Sequence, residues 1–383
     1  MKKSVLMILT FGVIFSMAGC GGETGLVQGG QSRESIDTGA VTGSEDKTGD
    51  LFSAETNVVP TGEIVELEKG FSAVRYDGDY GFDKFLSEGG ASSDQEVVSF
   101  LTENLLSGME IRFNGNIFGC STIAVQTADG ESLFGRNFDW NHCNAMVVLS
   151  YPENGYASIS TVNLDFISQG GLVGMAMKQD GIKTLAALYA PLDGMNEKGL
   201  AVSVNMIQDS VTIGQDTEKP DITTTTAIRL LLDKAATVDE ALELLEQFDC
   251  HASMGMMVHF ALADVTGKSV AVEYIGNEMI VTETPVLTNF YLAEGEKNGI
   301  GTAQSHTRYD MLMERLEESG TMGMEGVRDA LSSVSKGNFG EFESTEWSIV
   351  FNLTSGQAVY YHRENYEQGY TFVIEQKEGA ESP

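Results

Sequence analysis

An alternating apolar run opens at Cys120 and carries Ile123 and Val125, and a second run, Ser132 to Asn137, follows the turn signal Ala128-Asp129-Gly130. Period-two alternation around Asp-Gly predicts a β-hairpin over 120–140. Short apolar or alternating runs at 146–151, 157–162, 183–189 and 200–206 predict more strands. The period then changes. Residues 223–236 place Ile228, Leu231, Leu232 and Ala235 at helical spacing, and Thr237-Val-Asp-Glu240 is a capping box opening a second helix. Strands return at 256–264, 269–275 and 278–287, helices at 306–318 and 324–334, and strands at 347–353 and 357–362. Upstream, Ser93-Asp-Gln-Glu96 caps a helix with Val97, Phe100, Leu101 and Leu105 on one face.

Strands, helices, strands, helices, strands is not the order of a βαβ parallel sheet. It predicts an α+β fold with two antiparallel sheets stacked face to face and helices outside.

The N-terminus reads as a processing signal. Met1-Lys2-Lys3 is basic, and Ser4–Met17 is apolar but short for a spanning helix. Ala18-Gly19-Cys20 resembles a bacterial lipobox, which makes Cys20 the lipidated residue after signal removal and places the protein at the cell surface, anchored to the outer face of a bacterial membrane. Residues 21–60 are Gly, Ser, Thr and acid, a composition that predicts a flexible tether with a reach of roughly 35 Å. Residues 61–119 differ: Phe71, Tyr76, Phe82 and Phe85 are too many large apolar groups for a linker, so this segment should pack on a body formed by 120–383.

Composition narrows the function. The net charge is −33, with 23 Lys and Arg against 56 Asp and Glu, which excludes nucleic acid as a partner because nothing would neutralise phosphates. The four cysteines, Cys20, Cys120, Cys143 and Cys250, show no metal-ligand spacing, so neither a metal nor another cofactor is expected. Cys143 and Cys250 are left either to pair or to stay free. Asp77, Asp79, Asp83 and Glu88 mimic a calcium loop, but Phe82 stands where that loop needs glycine.

The hairpin is where chemistry concentrates. Its return strand carries Arg136 and Asp139 back to the start of the first, beside Cys120. A thiol, a guanidinium and a carboxylate are a nucleophile, a cation to favour its thiolate and a group to orient an amine. No Gly-x-Ser-x-Gly occurs, which excludes the α/β-hydrolase elbow. His142 is the nearest histidine to Cys120 in sequence, and a surface position after the hairpin accounts for it better than a Cys–His pair.

The segment Cys120–Trp140, with its Gly-Arg-Asn-Phe-Asp-Trp end, resembles the choloylglycine hydrolase family of N-terminal nucleophile hydrolases, whose relatives include bile salt hydrolases, penicillin V acylases and acid ceramidase-like enzymes. The resemblance covers roughly 115–375 and implies the αββα sandwich. It implies that the chain cuts itself between Gly119 and Cys120, so that the freed α-amine, titrating near pH 8, serves as the base. It also implies that Asn205, at the end of Asn196-Glu-Lys-Gly-Leu, and Asn289, in Leu287-Thr-Asn, form the oxyanion hole, and that Arg308, in Ser305-His-Thr-Arg, lies beside the thiol. The function implied is hydrolysis of a linear carboxamide bond in a small N-acyl compound, such as an N-acyl lipid or a bile-salt-type amide. The alternative is a surface lipoprotein that binds acyl ligands on the same fold without turnover. The apolar content of 61–119 predicts that this piece stays bound as a small subunit after the cut. The sequence leaves homo-oligomerisation open.

Overall fold

The run that opens at Cys120 forms the strand Gly119–Gln126, paired antiparallel with Ser132–Trp140 in an unbroken register. This hairpin lies inside a seven-stranded sheet, ordered Ala54–Asn57, Gln368–Val373, Gln357–His362, Ser344–Asn352, Ser132–Trp140, Gly119–Gln126, Val286–Leu287. A nine-stranded sheet faces it, ordered Glu278–Glu283, Ser269–Ile275, Val258–Ala263, Ala201–Met206, Asp193–Asn196, Ser158–Asn163, Ala145–Tyr151, Phe71–Asp77, Val65–Glu68. In the computed structural model the described residues are 54–105, 112–113, 119–168, 180–340 and 343–375. The signal segment, Cys20, tether residues 21–53 and Phe118 lie outside them.

The sheets meet through apolar and bonded side chains. Trp347, stacked on its strand neighbour Phe138, donates through Nε1 to Asp193 of the facing sheet at 3.0 Å, and the Thr161 and Tyr360 hydroxyls bond across the interface at 2.9 Å. Helices cover both outer faces. Thr224–Lys234, capped by Thr223 and Thr226, packs on the strands Asp193–Asn196 and Ala201–Met206. Ala303–Ser319 and Met324–Ser333 cover the seven-stranded sheet through a second apolar cluster that includes Ile123, Leu312, Val327, Leu331 and Val350. The order is therefore helix, sheet, sheet, helix, as the sequence predicts.

Three details differ from the expected pattern. The sheets are mixed, because each carries a parallel pair contributed by the N-terminal segment: Ala54–Asn57 runs along Gln368–Thr371, and Phe71–Asp77 along Ala145–Tyr151. The first described strand, Ala54–Asn57, thus falls inside the segment expected to be tether. The run at 183–189 forms a helix, Asp180–Leu188, since a short apolar stretch of Leu and Ala fits either period and helix propensity decides it. The single strand expected over 278–287 breaks before Pro285. Its first part stays in the nine-stranded sheet, and Val286–Leu287 crosses to the other. Proline has no N–H for a ladder, which suits it to that crossing.

The N-terminal segment is bound into the core. Phe71 is buried against Tyr360, His362 and Tyr370 of the opposite sheet. Tyr80 donates to the buried Asp233 carboxylate, which also pairs with the buried Arg229 at 2.7 Å. Ser93 caps the helix Asp94–Phe100 as predicted, and Glu96 reaches back to Ser92.

Candidate active site

Register fixes the site. Cys120 lies opposite Phe138, Gly119 opposite Asp139, and Thr122 opposite Arg136. Side chains alternate across a strand, so Arg136 and Asp139, three apart, face opposite sides. The Cys120 Sγ and Arg136 point between the sheets. Sγ lies 3.7 Å from the Val204 carbonyl oxygen, and Arg136 donates to Asp193 Oδ2 at 2.6 Å and to Asn205 Oδ1 at 2.8 Å. Asp139 faces the helix side. Its Oδ1 accepts from Thr345 Oγ1 at 2.7 Å, and its Oδ2 lies 3.3 Å from Lys336 Nζ and 3.7 Å from Arg308 Nη1. The three hairpin residues are thus together, but they surround the Cys120 backbone rather than share one face.

The segment after Val286–Leu287 and the helix Ala303–Ser319 complete the surround. Asn289 Oδ1 accepts the Cys120 backbone N–H at 2.8 Å and a guanidinium hydrogen of Arg308 at 2.7 Å. Arg308 Nη1 donates to the Cys120 carbonyl oxygen and to Ser121 Oγ, both at 2.5 Å. It therefore holds the main chain of the cysteine rather than its sulfur. The NH2 groups of Asn205 and Asn289 donate to the carbonyls of Leu287 and Met206 at 3.2 and 2.7 Å, and each carries a second hydrogen beyond that bond. Asn289 also has a task that its sequence context does not indicate, because it orients the nitrogen that a cut would turn into an amine.

Several residues escape the sequence reading. Asp193 neutralises Arg136 and accepts from Trp347 Nε1 at 3.0 Å, and its one sequence signal is an acid set in an apolar stretch. Thr345 and Trp347 flank a bulge in their strand, and each serves one of the two buried carboxylates. Lys336 and Glu343 close on Gly119: a Cβ built there would lie 2.1 Å from Glu343 Oε1 and 2.6 Å from Lys336 Nζ. Asn196, which opens the Asn-Glu-Lys-Gly-Leu motif, is a turn former. Its Oδ1 accepts from the Lys198 and Leu200 N–H groups, and Gly199 sits at φ 77° against the Leu353 carbonyl.

Electrostatics are set by burial. Cys120 is fully buried, which raises its thiol pKa to about 11; Arg136 and Arg308 pull it down, and Asp139 and Glu343 push it up. Both arginines thus act in favour of the thiolate, but burial outweighs them. His142 is exposed and lies 3.7 Å from Asp165. Cys143 and Cys250 are both free and buried. Asp77, Asp83 and Glu88 pair with Arg75, Lys234 and Lys84, and Asp79 Oδ1 accepts from the Gly81 N–H, so the calcium-like spacing is satisfied within the protein.

The family model for linear amide C-N hydrolases, choloylglycine hydrolase family, matches residues 120–290, so the match opens at Cys120 itself. Residues 120–290 are a choloylglycine hydrolase family domain. The chain is 28% identical over 180 residues to a bile salt hydrolase/transferase of Clostridium perfringens, covering 44% of this chain and 53% of that protein. It is also 28% identical over 169 residues to a penicillin V acylase of Pectobacterium atrosepticum, covering 40% of this chain and 44% of that protein. It thus spans about half the length of these curated relatives. The crystal structure of a mutant conjugated bile acid hydrolase from Clostridium perfringens superposes with a TM-score of 0.51 at 21% identity, covering 67% of this chain and 92% of that one. The choloylglycine hydrolase sandwich is therefore the fold, with Cys120, Arg136, Asp139, Asn205 and Asn289 all inside the matched segment and Arg308 beyond it.

Proposed function

We propose that this protein hydrolyses a linear carboxamide C–N bond of a small N-acyl compound, using Cys120 as an N-terminal nucleophile after the chain cuts itself between Gly119 and Cys120. The observation that carries this reading is the pre-set position of the Cys120 nitrogen, held by Asn289 Oδ1 while the family match begins at that residue. Once freed, the α-amine takes the thiol proton. The sulfur adds to the substrate carbonyl, and the second hydrogens of the Asn205 and Asn289 amides turn to the oxyanion. Removing one such donor costs about 10²–10³ in rate. The leaving amine departs with the proton, and water releases the acid from the thioester. Asp139 holds the α-amine in place, and Arg136 is fixed by Asp193 beside the sulfur.

In this proposal the lipidated Cys20 tethers the protein to the outer face of a bacterial membrane. Residues 20–119 remain bound as a small subunit, supported by Phe71 and Tyr80, which are buried against the body. A large foldable segment ahead of the nucleophile, together with a membrane tether, favours an apolar acyl chain on a small amine over a bile-salt conjugate. The test is intact mass spectrometry of the purified ectodomain, followed by hydrolysis of a panel of bile conjugates, penicillin V, N-acyl amino acids and N-acylethanolamines. A cut before Cys120 and turnover of one amide class are expected. An uncut chain that binds acyl ligands without turnover would establish the binding-lipoprotein alternative.

A further inference from the structure

The residues around Gly119 have a charge balance that substrate hydrolysis does not require. Lys336 Nζ lies 2.8 Å from Glu343 Oε1 and 3.3 Å from Asp139 Oδ2, and all three close on Gly119. Arg308 is committed to Cys120 O, Ser121 Oγ and Asn289 Oδ1. Lys336 is only 7% exposed, Asp139 is fully buried, and Asp139 Oδ2 accepts no hydrogen bond. An ammonium has three hydrogens to give, and neither of these two ion-pair contacts is a hydrogen bond.

We propose that Lys336 is a positioning residue for self-cleavage: it receives the carboxylate made at Gly119 while Asp139 passes to the new amine. This rests on the cut at Gly119–Cys120 proposed above. In the first step the Cys120 sulfur adds to the Gly119 carbonyl carbon, the C–N bond breaks, and the nitrogen leaves with the thiol proton. Water then adds to the thioester, the C–S bond breaks, and the thiol regains a proton. The acid at Gly119 gives its proton up as the amine gains one, so the cut ends with one new anion and one new cation. Both appear at a buried place, where an unpaired charge is costly. Before the cut, Lys336 and Arg308 face Asp139 and Glu343, so cations and anions balance. After it, Asp139 pairs with the Cys120 ammonium, and Lys336 is shared between Glu343 and the Gly119 carboxylate, so each new charge meets one of opposite sign. Glycine at 119 follows from the same geometry, because a side chain there would occupy the space these groups share.

The test follows self-cleavage of the full-length chain over time by intact mass, in the wild type, Lys336→Arg and Lys336→Met. Near-ultraviolet circular dichroism checks the fold. The expected result is slowing by about a hundredfold in Lys336→Met, on the scale of losing one electrostatic donor, with Lys336→Arg recovering most of the rate. Equal rates in wild type and Lys336→Met would overturn the assignment while leaving the proposed function standing. A wild-type chain that is never cut would instead overturn the proposed maturation itself. Should Lys336→Met lose its native spectrum, Lys336→Arg decides: efficient cutting supports the proposal, and a folded but uncut Arg variant overturns it.

Discussion

At Cys120 two effects compete. Burial holds the proton on the thiol, and the arginines on either side work against it, yet the balance leaves the uncut chain with a thiol titrating at about 11. Below that value the thiol stays protonated, so raising the pH populates the thiolate by about tenfold per unit. Self-cleavage is expected to accelerate by about that factor per unit between about pH 7 and 10, measured by intact mass in buffered time courses. A flat profile would mean that the neutral thiol attacks. Cys120→Ala should abolish both the cut and turnover, and Cys143→Ser and Cys250→Ser should leave both in place. Asp139→Asn removes the partner of the new amine and should lower turnover in a folded protein, checked by kinetics beside a thermal melt. Of these residues, Cys120, Arg136 and Asp139 were legible because a hairpin is local and its register follows from an Asp-Gly turn. Asn205, Asn289 and Arg308 needed a family resemblance, since nothing nearby sets an asparagine in a strand apart from one in a turn. Lys336, Thr345 and Asp193 reach the site only through tertiary pairing, over separations at which periodicity carries no information.

At the scale of elements, the capping boxes at Ser93 and Thr237 fixed the starts of their helices because a cap is a contact between residues three apart. The parallel pairs were not legible, since their partners lie far apart in the chain. The hydrogen bond from Tyr80 to Asp233 joins one such distant element to the helix Thr224–Lys234, and that carboxylate also balances a fully buried arginine. Tyr80→Phe removes one hydrogen bond to a buried charge, a loss of about 1–3 kcal/mol. The urea midpoint of the variant should fall accordingly. Once the chain is cut, the small piece should dissociate at lower denaturant than in the wild type, read by size exclusion. An unchanged midpoint would show that Phe71 and the paired strands carry the attachment alone.

For the whole molecule, the αββα order was legible from the succession of periods, whereas the mixed character of the sheets was not. The N-terminal segment supplies an outer strand to each sheet and buries Phe71 between them. A chain starting at Cys120 would leave two sheet edges and an apolar hollow uncovered, which is a recipe for edge-to-edge association. Expressed alone, it should be largely insoluble, and co-expression of residues 54–119 should raise the soluble fraction. Good solubility and full turnover without that segment would contradict its place in the fold.

The pairing of Ala54–Asn57 with Gln368–Thr371 joins the first described strand of the chain to the last. A ribosome delivers residue 54 long before residue 368, so the early strand waits for its partner until residue 368 has been made. Thr345, which holds Asp139, and Lys336, which lies on Gly119, are also late arrivals. Under the proposed self-cleavage, a nascent chain therefore carries its thiol and its scissile bond from residue 120 until residues 336 and 345 are made without the groups that would set them against each other. On that proposal the topology would work as a timer: the cut waits until the strand that carries Thr345 has been made.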